Sequence, residues 1–181
     1  MALIATPGGT TSNSYCTVAE ASNYFGNSVG KTLWETTEFQ DVSLIEATRL
    51  LDTLVTWNGY IASESQRLRW PRMWVPKPDV YPYVSATTDV GVGGPYLPND
   101  VIPEPIKDIV CELAYSLIST GGFQMEENPV TLVRVGTLQV RFAEKVKSYG
   151  LPLMVRSMIA PWGSYSLESS NDVRQVGVVR V

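Results

Sequence analysis

The chain contains no histidine. That absence removes the commonest general base, the commonest transition-metal ligand and the usual partner of a serine or cysteine nucleophile, so most hydrolytic mechanisms are disfavoured. There are only two cysteines, Cys16 and Cys111. They are too few for a disulfide framework and lack the CxxC spacing of a metal or redox motif, which leaves a buried reduced pair as the expectation. No apolar stretch approaches the roughly 20 residues that a bilayer span needs. The N-terminus lacks the basic flank and apolar core of a signal peptide, so the chain is expected to stay soluble where it is made, with no membrane partner. Basic charge is short as well: 14 Lys and Arg against 18 Asp and Glu give a net charge of −4, which repels a phosphate backbone.

The charge is unevenly spread. After residue 130, seven basic residues face three acidic ones, a net +4, which leaves −8 for the first 130 residues. Such asymmetry suits a molecule whose two parts meet different surfaces, including a neighbouring copy of itself. With 181 residues of which 44% are hydrophobic, the chain can form one domain with extensions, or two small units, around an ordinary core.

Four helices are predicted. Thr17-Val18-Ala19-Glu20 reads as a capping box opening a short helix to about Asn27. Thr37-Glu38-Phe39-Gln40 repeats that signature. Behind it Phe39, Val42, Ile45, Leu50, Leu51, Leu54 and Val55 form the apolar face of the longest helix, which runs up to Trp57. Pro103-Glu104-Pro105 marks a third entrance, and Ile106, Ile109, Val110, Leu113, Ala114 and Leu117 follow at helical spacing until Gly121-Gly122. The last helix covers about 152–160, with Met154, Val155, Met158 and Ile159 apolar.

From Asn58 to Pro105, eight prolines and the glycines Gly91, Gly93 and Gly94 exclude regular structure over most of the stretch, taken as an inserted loop at 58–103. The aromatics Tyr60, Trp70, Trp74, Tyr81, Tyr83 and Tyr96 in and beside it point to an ordered loop packed on something. Alternation over 131–142 around Gly136-Thr137 predicts a β-hairpin. The predicted fold is thus mainly α: a small helical bundle over 1–160, with an inserted Pro/Gly-rich loop at 58–103 and one hairpin, followed by an extended C-terminal arm over 161–181. The arm ends in a strand-forming segment at 173–181, suited to a sheet edge of another subunit or of its own domain.

No residue set carries catalysis, a cofactor or a metal, and the chain is expected not to be an enzyme. Gly91-Val92-Gly93-Gly94 lacks the GK[ST] ending of a phosphate loop. Glu46 and Asp52 are six apart and do not share a helix face as i, i+4 residues do, and Glu64, Asp79, Asp89 and Asp100 read as solvated. The one basic and aromatic cluster is Arg67, Arg69, Trp70, Arg72 and Trp74. Three readings of it stand: an intramolecular anchor, a protein–protein contact, or a stacking site for single-stranded nucleic acid.

Six motifs follow in fixed order: Asn13-Ser14-Tyr15, Glu46-Ala47-Thr48-Arg49-Leu50-Leu51-Asp52, Trp57-Asn58-Gly59, Gln66-Arg67-Leu68-Arg69-Trp70-Pro71-Arg72, Ile102-Pro103, and Val135-Gly136-Thr137-Leu138-Gln139-Val140-Arg141-Phe142. Together they resemble the head–tail connector (adaptor) proteins of tailed bacteriophages, a family whose members also carry the label DnaT-like single-stranded-DNA-binding protein. The resemblance implies a virion protein at the head–tail interface, assembled in the host bacterial cytoplasm as a twelve-fold ring beneath the portal protein. Such a ring extends the DNA channel, docks tail or nozzle proteins and lets double-stranded DNA pass without sequence-specific contact. It places Trp57, Gly59, Trp70, Pro71, Arg72 and Pro103 on motif positions that look like scaffold. Subunit or portal contacts are expected at Arg67, Arg69, Arg72 and Trp74, and along the arm at Arg174, Val176, Val178, Val179, Arg180 and Val181. The alternative is a replication protein that binds single-stranded DNA in a salt-dependent way, weakened by removing Arg67, Arg69 or Trp70.

Overall fold

Thr17 opens the first helix in the manner its sequence predicts. Its hydroxyl accepts the Glu20 N–H at 3.2 Å, and the Glu20 carboxylate accepts the Thr17 N–H at 2.7 Å, so two amides with no helical partner are satisfied reciprocally. Helix α1 runs Val18–Phe25. The same carboxylate receives Lys107 Nζ at 2.7 Å, a tie across 87 residues. Burial alone would raise the Glu20 carboxyl, but the hydrogen bonds from Lys107 and Thr17 outweigh it and hold the group below its ordinary 4.5. The computed structural model describes residues 2–78, 96–122, 132–135, 138–141 and 151–165, the two segments at 132–141 by backbone alone.

Lys107 sits on the central helix. Beyond α2 (Lys31–Thr36), α3 (Gln40–Leu54) and the short strands β1 (Val55–Trp57), β2 (Tyr60–Ile61) and β3 (Arg72–Met73), helix α4 spans Glu104–Thr120. Pro103 and Pro105 stand at its start, where a missing amide costs no helical bond, and Gly121 ends it at φ +71°. Every member of its predicted stripe, Ile106, Ile109, Val110, Leu113, Ala114 and Leu117, is buried, joined by Cys111. The helix packs on α3, α1 and the last helix, α5 (Leu153–Ile159). Helix α5 buries Val155 and Ile159 but leaves Met154 exposed.

Helix α3 departs from its expected face. Ser43, Leu44, Ala47, Thr48 and Leu51 are buried, while Phe39 and Val42 are 65% and 61% exposed. The second capping box does not form, because the Thr37 hydroxyl accepts the Phe39 N–H at 3.2 Å and the Gln40 amide group donates to Trp34 O at 2.7 Å. That carbonyl belongs to α2, a helix with no marked sequence signature, which delivers Trp34 fully buried into the core. The buried face is partly polar because its hydroxyls find partners: Ser43 Oγ donates to Gln40 O at 2.9 Å and Thr48 Oγ1 accepts the Tyr15 N–H at 3.3 Å. The helix also stops at Leu54, short of Trp57. Val55 and Thr56, both β-branched, turn extended.

Strand β1 pairs antiparallel with β6 (Gly163–Tyr165), Thr56 opposite Ser164. Three residues expected in the C-terminal arm thus close a sheet with the end of α3. Gly163 is required there, since a Cβ would stand 2.6 Å from Thr56 O. Strands β2 and β3 pair as a second two-stranded sheet inside the Pro-rich stretch. The predicted hairpin forms from β4 (Leu132–Val135) and β5 (Leu138–Arg141), with Val133 opposite Val140. Five helices and three two-stranded sheets therefore make up the described residues, where sequence leads one to expect helices and one hairpin. Two compact units divide the chain: Met1–Gln124 with Leu151–Ser166, and Met125–Gly150 with Leu167–Val181. Among the described residues no helix is long and apolar enough to cross a membrane.

The revised face of α3 is open to test. Leu51→Ala should lower the unfolding free energy by about 2–5 kcal/mol. Val42→Ala, one residue of the apolar set that faces solvent, should change it by no more than about 0.5 kcal/mol. Urea titrations followed by far-UV circular dichroism distinguish the two, and equal effects would restore the face expected from sequence.

Candidate functional site

Four of the six motifs converge on one carboxylate. Asp52 lies in the last turn of α3, one turn after Thr48, and its Oδ1 accepts the Tyr15 hydroxyl. Successive turns of a helix are about 6 Å apart for residues i and i+4, which matches the reach of a tyrosine from amide to hydroxyl. The Tyr15 backbone N–H reaches Thr48 and its side-chain O–H reaches Asp52, so the N-terminal segment is gripped at both the backbone and the side chain of one residue. The same Oδ1 accepts Trp57 Nε1–H at 3.4 Å, and Oδ2 accepts the Arg69 backbone N–H at 3.1 Å. Burial lifts the Asp52 carboxyl above its ordinary 3.8 against the pull of these donors. Tyr15 is pushed up too, by burial first and by the adjacent carboxylate second.

Arg72 supplies the cationic counterpart. It is only 8% exposed, yet none of its hydrogen bonds goes to a carboxylate. Nε donates to Asn58 O at 2.7 Å, Nη1 to Arg69 O at 3.1 Å, and Nη2 to Gly59 O at 2.6 Å and Trp57 O at 3.4 Å. One guanidinium fork thereby serves the carbonyls of Trp57 at the end of β1, of Asn58 and Gly59 just beyond it, and of Arg69. Burial pushes the Arg72 pKa down, Arg69 adds to that, and Tyr15 and Asp52 oppose it without reversing it. Gln66 works alongside, donating from Nε2 to Leu68 O at 2.7 Å and Pro71 O at 3.1 Å. Gly59, at φ +71°, lies so close to β3 that a Cβ would stand 2.3 Å from Met73 O.

The basic and aromatic cluster is therefore split by the fold. Trp70 is 1% exposed and stands edge-on between Trp57 and Trp162, at centroid distances of 5.8 and 6.4 Å. Its Nε1–H is buried without an acceptor. Pro71, joined to it by a cis peptide, is buried as well. Trp57, Gly59, Trp70, Pro71 and Arg72 all serve the loop's own architecture, and Pro103 caps α4. Arg67 and Arg69 point outward, and Arg67 makes no ion pair among the described residues. The C-terminal contact residues Arg174, Val176, Val178, Val179, Arg180 and Val181 lie outside the described residues.

Trp74 is the opposite of Trp70. It is 60% exposed at φ +62°, a left-handed conformation that strains any bulky residue. Its ring meets Tyr96 edge-on at 5.2 Å, beside the Pro76–Tyr96 bridge. Tyr60 and Ile61 of the same hairpin are 70% and 42% exposed. Backbone strain that displays an aromatic side chain is the kind of feature concentrated at binding surfaces. The buried knot anchors the loop, and the loop presents Tyr60, Trp74 and Tyr96.

Asp52 and Tyr15 are what sequence reasoning misses. A carboxylate one turn after Thr48, on the face that also holds Leu51, was the available signal, since a buried acid demands donors. Asp52→Asn sets an amide group against a donor of the knot and should cost about 1–3 kcal/mol at neutral pH. Because the folded carboxyl is raised, the folded chain holds this proton more tightly than the unfolded one. The wild type therefore loses this stability as pH climbs from 3.8 through the raised value. Asp52→Asn lacks that slope, so its deficit should shrink with rising pH across the window. Paired urea titrations at stepped pH measure it, and a deficit that grows instead would mean the knot favours the ionised acid.

A family model described as "Putative DnaT-like ssDNA binding protein" matches residues 1–181. No curated protein and no solved structure matches the chain. The family match spans the entire chain, including all four segments that meet at Asp52, and the protein therefore belongs to this DnaT-like single-stranded-DNA-binding family.

Proposed function

We propose that the chain is an assembly protein, a head-to-tail adaptor that joins others of its kind in a ring beneath the portal of a tailed phage. The observation that carries this reading is the fate of the basic and aromatic cluster. Trp70 and Arg72 are spent inside the fold, which leaves Arg67, Arg69 and Trp74 of the cluster exposed beside the aromatics Tyr60 and Tyr96. The unit that bears them is acidic along α4, where Glu104, Asp108 and Glu112 follow one another at four-residue spacing. Phosphate backbones favour basic surfaces; apolar aromatics on an acidic unit favour a protein partner. The ordered motifs that resemble phage adaptors support the adaptor reading in particular. Copies would bury Tyr60, Trp74 and Tyr96 against neighbours, with ring symmetry multiplying modest contacts. The portal and the tail or nozzle proteins are the remaining partners, and genomic DNA crosses the lumen without specific contact. On this reading the protein is no enzyme and resides in the virion after assembly in the bacterial cytoplasm.

A second reading follows the family's own description, binding of single-stranded DNA, which the family match backs more directly than it backs an adaptor. Its structural support is the exposed Trp74–Tyr96 pair on a loop that also displays Arg67 and Arg69, since bases stack on aromatics beside cations.

Two measurements separate the readings. Quantitative mass spectrometry of purified particles should find the chain at a copy number close to that of the portal protein. Anisotropy titrations with a labelled single-stranded oligonucleotide at about 0.15 M salt should give only non-specific affinity, weaker than about 10⁻⁶ M, with Trp74→Ala unchanged. Absence from particles, together with tighter, salt-sensitive binding that Trp74→Ala abolishes, would transfer the function to DNA binding.

A further inference from the structure

Cys16 and Cys111 are the only thiols in the chain, and the fold brings them together from 95 residues apart. Their sulfurs stand 4.0 Å from each other, both free, at 0% and 2% exposure. Neither motif chemistry nor the packing of small apolar residues requires two thiols to meet. We propose that this pair is a latent disulfide site, a covalent tie between the N-terminal segment and α4 that forms on exposure to a small-molecule disulfide. The proposal is independent of either functional reading.

The geometry suits the reaction. Cys111 is fixed in the middle of α4. Cys16 lies outside any helix, one residue before the α1 cap, in a turn where Ser14 Oγ donates to Cys16 O at 2.7 Å and accepts its N–H at 3.4 Å. That turn directs its sulfur at α4 and leaves a non-helical segment to absorb the closure of about 2 Å that an S–S bond requires. The step balances as two thiol–disulfide exchanges. One protein thiolate attacks a sulfur of the small disulfide and expels the first small thiolate. The second protein thiolate attacks the mixed disulfide and expels the other. Two protein S–H bonds are lost, one protein S–S bond is gained, and the reagent leaves as two thiols carrying those protons.

Burial sets the timing. Contact with Cys16 and burial push the Cys111 thiol above its ordinary 9.0, which suppresses thiolate while the segment is closed. Reaction requires the segment 12–17 to lift, breaking the Tyr15 bonds to Thr48 and Asp52. In a reducing cytoplasm the thiols persist, and outside it the bond forms slowly and stays. Once formed, it closes a loop holding α1, α2, α3 and the β2–β3 hairpin, and such a closure stabilises chiefly by restricting the unfolded chain.

The test uses the full-length folded chain with oxidised glutathione in mildly alkaline native buffer, followed by acid quench, denaturing alkylation and intact mass. The expected product is a monomer about 2 Da lighter that resists alkylation, yields a Cys16–Cys111 peptide on digestion, and melts about 10 °C higher, a shift reversed by dithiothreitol. Two alkylatable thiols after incubation close to the melting temperature would overturn the proposal. So would glutathione adducts or intermolecular crosslinks in place of the internal bond, and so would an internal bond that leaves the melting temperature unchanged or lowers it.

Discussion

A carboxylate buried in the last turn of a helix is doubly disfavoured as an anion, by loss of solvation and by the negative end of the helix dipole. Asp52 occupies that position, and the rest of the first unit is arranged around the need to give it donors. Each donor comes from a different stretch of chain: the Tyr15 hydroxyl, the Trp57 indole and the Arg69 amide. None can be supplied by α3 itself. The segment before α1, the strand after α3 and the turn before β3 must therefore arrive together, which makes the knot a coincidence detector for correct folding.

The Pro-rich loop acquires order from side chains where a backbone ladder is lacking. Arg72 gathers four carbonyls from two separate segments of chain, and Trp70 wedges between two other indoles. A guanidinium spends its donors on backbone here instead of on a carboxylate, so the charge it buries is offset only in part through space by Asp52. A lysine could not replace it, having a single nitrogen to reach acceptors spread along the turn.

What was legible in the sequence was local. The capping box at Thr17, the α4 stripe with its Pro start and Gly stop, and the hairpin pairing Val133 with Val140 all rest on residues within a few positions of one another. Phe39 and Val42 face solvent because Ser43 and Thr48 find partners that apolar spacing does not reveal, one of them an amide 33 residues away. The closure of β1 by β6 joins residues more than a hundred apart, beyond any periodicity. The site was half legible: Arg69 and Arg72 look alike in sequence, and only the carbonyls of residues 57–59, meeting Arg72 in space, decide that one is buried and the other is not.

Four of the five tryptophans, Trp34, Trp57, Trp70 and Trp162, are sealed in the core, and Trp74 alone faces water. The molecule thus carries an intrinsic optical reporter on the surface its loop displays. A soluble collisional quencher meets one indole in the folded state, so shielding of that fluorescence senses whatever covers the loop, protein or nucleic acid, without any label.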